Sequence, residues 1–239
     1  RLCLGQCPFD ITTLTTSAQI QALTASEISS LTGADVQAIT ASQMGFFTTT
    51  QLGSWSNSQL ALLTPTQIAG LTASQSPALT TAQLALWNAS QIAGLSSGAL
   101  GALNASQVAA LTNTQVGGLN ASQIGALNTA HLTASQIAAL SSSQLSGLSA
   151  SQVAAWSSTQ LGALTPTQIA GLSTSQLSTL TASQITALST AQVAALTTAQ
   201  VASLSATQIP GLTQVLSSSQ LGALTATQIA VLSSSQLSG

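Results

Sequence analysis

The sequence predicts a repeat solenoid made mainly of short capped helical turns, one turn per octad, and three observations predict it. An octad of the form Leu, Ser/Thr, x, Ser/Thr, Gln, Ile/Val/Leu, small, small recurs through nearly the whole chain. Helix-start signals recur at fixed positions within it. The eight-residue period also fits no single continuous helix, so each unit must turn and stack on another.

The array comes after a head, residues 1–22, which holds Cys3, Cys7 and one irregular nine-residue unit, Leu14 to Ala22. Residues 23–239 form the octapeptide tract: thirteen octads from Leu23 to Ala126, ten from Leu132 to Gly211 and three from Leu216 to Gly239. Two short units break the phase, residues 127–131 (LNTAH) and 212–215 (LTQV).

Position 2 is Ser, Thr or Asn in every octad, residue types that share a short side-chain acceptor able to cap a helix N-terminus. Position 5 is Gln except at Glu27, Asp35 and Ala99. Ser/Thr-x-x-Gln/Glu is the capping box, in which each side chain satisfies the other residue's free backbone N–H. The pairs Thr64 and Gln67, Asn88 and Gln91, Thr133 and Gln136, and Thr165 and Gln168 are the expected caps. Positions 1 and 6 are apolar apart from Ser76, matching the two ends of a hydrophobic staple. Pro65 and Pro166 fall on the first helical position, where a missing N–H costs nothing.

Each helix must end within its octad. At about 100° per residue the Leu stripe of one continuous helix would rotate by about 80° every repeat. Pro77 and Pro210 at position 7 also oppose continuation. The alternative is a β-solenoid with two or three octads per coil, since Ser, Thr, Val and Ile suit strands. Against it, positions 1 and 6 have opposite parity and would face opposite sides of a strand. The helical array is expected to place positions 1 and 6 inside and the Ser/Thr edges outside. Phe47, Trp55, Trp87 and Trp156 take position 1 and are expected as enlarged core residues.

Composition excludes most chemistry. Of 239 residues, 2% are charged, against about a quarter in an average soluble domain. Arg1, Asp10, Glu27 and Asp35 carry every charge. A nucleic-acid partner needs a basic stripe, and one Arg cannot supply it. Paired carboxylates for acid–base work are missing, as are the clustered ligands of a metal site, so no catalytic residue, metal or cofactor is expected. His131, the single His, replaces Gln in the first short unit with no acid after Asp35 to orient it. A chain that is 45% apolar can bury a core, and it lacks the run of about 18 apolar residues that a transmembrane helix needs.

The tandem octads, such as LTPTQIAG at 63–70 and LTASQITA at 180–187, resemble the octapeptide-repeat tracts of large secreted bacterial surface proteins of the adhesion type. The resemblance spans residues 23–239 and implies a repeat architecture and a surface location. It does not extend to haem ligation, for which a lone His131 and Met44 give no support. LTPTQIA is also similar to the opening helix of a TAL-effector repeat. That likeness implies a helical octad but no DNA reading, because the longer period and base-reading loop of that family are absent.

The chain begins at Arg1 without a charged-then-apolar leader, as expected of a mature secreted protein. In that compartment Cys3 and Cys7 are expected to form a disulfide, either with each other or to another subunit. Asn88, Asn104 and Asn120 head formal glycosylation motifs, but their position-2 placement points to capping. The expected function is a secreted structural protein that joins itself, head-to-tail or laterally, into a filament or surface layer. Near-zero charge offers no repulsion against this, and the last octad keeps its phase without a polar capping repeat. The alternative is a surface adhesin or an ice- or glycan-binding module built on the Ser/Thr rows.

Overall fold

The computed structural model describes residues 10–212 and 215–233, and among them every regular element is helical. Twenty-four α-helices of four to six residues run from Ser17–Gln21 to Ala226–Ile229. Three 3-10 turns lie between them, at Ser76–Ala78, Thr129–His131 and Ile209–Gly211, and a fourth, Ile11–Thr13, precedes them. No strand occurs among the described residues, which removes the β-solenoid alternative. Its physical obstacle is the capping box, which commits the backbone N–H groups of each octad to a helical start.

Every α-helix has its N-cap in extended backbone, and all but Ser97–Gly101 carry the reciprocal box. In the exception Ala99 replaces Gln, so Ser96 Oγ still accepts from Ala99 N but nothing returns the bond. The helix stops after about one turn because the next position 1 returns to extended backbone, as at Leu111 with φ −62° and ψ 139°. Pro77 and Pro210 tighten their octads further. Elsewhere the position-7 N–H bonds the position-3 carbonyl, as Ala69 does to Pro65 at 2.9 Å. Proline has no such donor, and both octads close as 3-10 turns instead.

The chain divides into two compact units, Arg1–Asn128 and Thr129–Gly239, and the division falls inside the short unit at 127–131. Within each unit a helix packs on the third helix along. In the first, Ala41–Met44 meets Pro65–Ile68 and Ser97–Gly101 meets Ala121–Ala126; in the second, Ala150–Ala154 meets Thr174–Ser178. One coil is therefore three octads, about 24 residues, and each coil touches only its neighbours, as in other solenoids.

Positions 1 and 6 fill the interior. Position 6 is 0 or 1% exposed from Ile28 to Ile209, including Ser76, and position 1 is 1 to 7% exposed from Leu31 to Leu212. Each such Leu or Ile contributes about 1.5–3 kcal/mol when fully buried. Positions 2 to 4 are mostly exposed.

Candidate functional site

The position-5 glutamines are the most regular chemical feature of the fold. Their Oε1 closes the capping box, while their Nε2 crosses to the preceding coil. Gln67 is typical: Thr64 N donates to its Oε1 at 2.8 Å, and its Nε2 donates to the Ile39 carbonyl at 2.8 Å and the Val36 carbonyl at 2.7 Å. Ile39 lies 28 residues earlier and Val36 lies 31 earlier. Position 5 follows position 1 by four residues, so a reach of 28 is one three-octad coil plus those four. Gln59, Gln75, Gln107 and Gln115 repeat the same pair of bonds in the first unit. Gln176, Gln192 and Gln208 do so in the second.

These side chains are buried, most of them between 1 and 8% exposed. A buried carboxamide is tolerated because both of its polar atoms are paired. The same bonds satisfy the carbonyl at the end of each short helix, one of the groups that every helix terminus leaves open. The ladder also absorbs the second phase break. Gln220 reaches Leu196 and Gln228 reaches Leu204, 24 residues back rather than 28. The register falls by four, which is the length difference between an octad and LTQV at 212–215.

The other expected caps have the same local form. Gln91 N donates to Asn88 Oδ1 at 2.9 Å, and Gln91 Nε2 donates to the Leu63 carbonyl at 2.7 Å. Thr133 N donates to Gln136 Oε1 at 2.6 Å. Thr165 N donates to Gln168 Oε1 at 2.7 Å, and Gln168 Nε2 donates to the Leu140 carbonyl at 2.7 Å. Asn104 and Asn120 likewise accept from Gln107 N and Gln123 N through Oδ1. The sequence reading gave Gln only its local capping role. The usable signal was the choice of Gln over Glu: a capping box accepts either, whereas a donor to the preceding coil must be an amide.

Phe47, Trp55, Trp87 and Trp156 are 1 to 4% exposed. Phe47 and Trp55 meet edge to face with ring centres 5.3 Å apart. Trp87 Nε1 donates to the Leu60 carbonyl at 3.0 Å, whereas Trp55 and Trp156 bury Nε1 without a hydrogen bond. His131 is half-buried in the turn Thr129–His131. Cys3 and Cys7 lie outside the described residues. Among the described residues no group of three or more His, Cys, Asp or Glu is placed to hold a metal ion, and no helix is long and apolar enough to cross a membrane. An open groove of about 190 Å³ beside Thr12, Thr15, Thr40, Ser42 and Phe46 has no ionisable lining residue.

Fold and ladder together define a helical repeat protein of the octapeptide class. A family model described as the ALTTAQ repeat matches residues 137–174, 157–190 and 184–214, so an ALTTAQ repeat tract covers 137–214. No curated protein matches the chain.

Proposed function

We propose that the chain is a structural scaffold of an extracellular surface, whose coils associate side by side with further copies of the same chain. The observation carrying this reading is the neutrality of the exposed faces. No charged residue occurs from 36 to 239, and the outward positions 2 to 4 are held by Ser, Thr, Asn, Ala, Pro and Gly. Such faces meet without charge repulsion, and their hydroxyls hydrogen-bond equally well to an identical face. The three-octad coil adds regularity: Ser42, Thr66, Ser90 and Thr114 are exposed at the same position of successive coils. Leu62 and Leu86, 40% and 39% exposed one coil apart, add apolar area to another face.

The extracellular placement is supported by the cysteine pair and by the resemblance of the octads to secreted surface repeats. The reading assigns no catalytic step, cofactor or nucleic-acid partner. The same hydroxyl rows favour, as a second reading, attachment to a glycan or to ice.

Sedimentation velocity and negative-stain electron microscopy over a concentration series test the proposal. The expected result is concentration-dependent lateral assembly that persists at high salt. A monodisperse monomer at every concentration overturns it. Saturable glycan binding or inhibition of ice recrystallisation by that monomer would support the second reading instead.

A further inference from the structure

Three octads carry Asn at position 2, and each continues Asn-Ala-Ser-Gln, from Asn88, Asn104 and Asn120. Their caps use a single side-chain atom. Gln91 N donates to Asn88 Oδ1 at 2.9 Å, Gln107 N to Asn104 Oδ1 at 3.0 Å and Gln123 N to Asn120 Oδ1 at 2.9 Å. A hydroxyl cap can serve twice with one atom: Thr64 Oγ1 accepts from Gln67 N and donates to Gln67 Oε1. The Asn cap divides those roles between two atoms, and its Nδ2 enters neither bond of the box. All three Asn are exposed, as are Ser90, Ser106 and Ser122 two residues on. Their backbone is extended, with φ −77° or −78° and ψ between 170° and 173°. Successive Asn lie 16 residues apart, two octads of a three-octad coil, so each falls on a different side of the coil. Their glutamines accordingly clamp onto three different octads, at Leu63, Leu79 and Leu95.

We propose that Asn88, Asn104 and Asn120 are acceptor sites for an N-linked glycan, one on each side of the coil. In the transfer Nδ2 gives up a proton to the transferase and bonds to the anomeric carbon of a sugar. The bond from that carbon to the phosphate of a nucleotide- or lipid-linked donor breaks, and nothing is oxidised or reduced. The product is still an amide with a free Oδ1, so the cap survives the modification. Asn57, Asn113 and Asn128 are exposed as well, but Gln59, Gln115 and Ala130 stand two residues after them, where the acceptor motif requires Ser or Thr. The inference does not rest on self-association, because a chain that stays monomeric carries the same three sites.

The test uses the full chain in two arms, each read by glycopeptide mass spectrometry. In one, the folded chain is incubated with a soluble asparagine glycosyltransferase and UDP-glucose. In the other, it is secreted behind an appended signal peptide from cultured eukaryotic cells, whose donor is a lipid-linked oligosaccharide. Sugar on Asn88, Asn104 and Asn120 and none on Asn57, Asn113 or Asn128 is the expected result, and the arm that gives it identifies the donor. S90A/S106A/S122A should abolish the modification without lowering the thermal midpoint, since those hydroxyls take no part in the caps. The glycosylated chain should keep the wild-type midpoint, whereas N88A/N104A/N120A loses three caps and should melt lower. Bare Asn88, Asn104 and Asn120 in both arms, or equal occupancy of the other three Asn, overturns the proposal. So does a glycosylated chain that melts as low as the alanine variant, which would mean that sugar and cap compete.

Discussion

The Gln67 carboxamide donates to the Ile39 carbonyl at 2.8 Å across one full coil while its oxygen caps its own helix through Thr64 N. One side chain therefore fixes both the start of a helix and the position of that helix on the coil before it. Replacing Gln67 by Glu keeps the acceptor, removes the donors and buries a charge at a site 4% exposed. Gln67→Glu is expected to lower stability by about 2–5 kcal/mol. Urea unfolding measures it, and a midpoint equal to wild type would show that the bond to Ile39 carries no weight.

Ala99 marks the reverse experiment. By register, a glutamine there would reach the Leu71 and Ile68 carbonyls, 28 and 31 residues earlier, as its counterparts do elsewhere. Ala99→Gln is expected to raise stability by about 1 kcal/mol and to complete the box with Ser96 N. Thermal unfolding followed by circular dichroism reads the gain. A lower midpoint would mean that the fully buried site has no room for the longer side chain.

Glycines divide by how closely the neighbouring coil approaches. A Cβ on Gly70 would lie 1.8 Å from the Ala41 carbonyl oxygen, and one on Gly94 would lie 2.5 Å from that of Pro65. Backbone cannot yield cheaply there, so Gly70→Ala is expected to destabilise by about 1–3 kcal/mol. Gly117, with nothing within 4 Å, lies inside the helix Asn113–Gly117, and Gly117→Ala should stabilise by about 0.4–1 kcal/mol. Opposite signs in parallel melts are the expected outcome; equal signs would contradict the close approach at Gly70.

Acidification should act on one end of the array. The backbone N–H of Thr24, then its hydroxyl, holds the Glu27 carboxyl below the usual glutamate range, and the hydroxyl and N–H of Thr12 do the same for Asp10. A carboxylate with a lowered folded-state pKa stabilises above its unfolded value and loses that contribution as pH falls through the folded one. Hydrogen exchange at acid pH is therefore expected to quicken first in residues 10–38, while coils from Ile39 onward, which carry no carboxylate side chain, change little. Uniform quickening along the chain would argue against it.

Much of this was legible because the helix signals are local. Thr64, Pro65, Gln67 and Ile68 lie within five residues, and a capping box, a first-position proline and a staple need nothing beyond them. The bond from Gln67 to Ile39 was not legible, because a register of 28 residues depends on how many octads close a coil. The lone indole N–H groups of Trp55 and Trp156 were equally hidden, since a partner for a side chain is a property of packing.

The sequence by itself determined that every octad starts a helix, ends it within a turn and turns two apolar positions inward, since propensity and capping act over a few residues. Only the tertiary structure decided that three octads make a coil and that the position-5 amides reach back to carbonyls of the preceding coil. Those follow from where backbone carbonyls of one coil come to lie against side chains of the next, a geometry that no single octad contains.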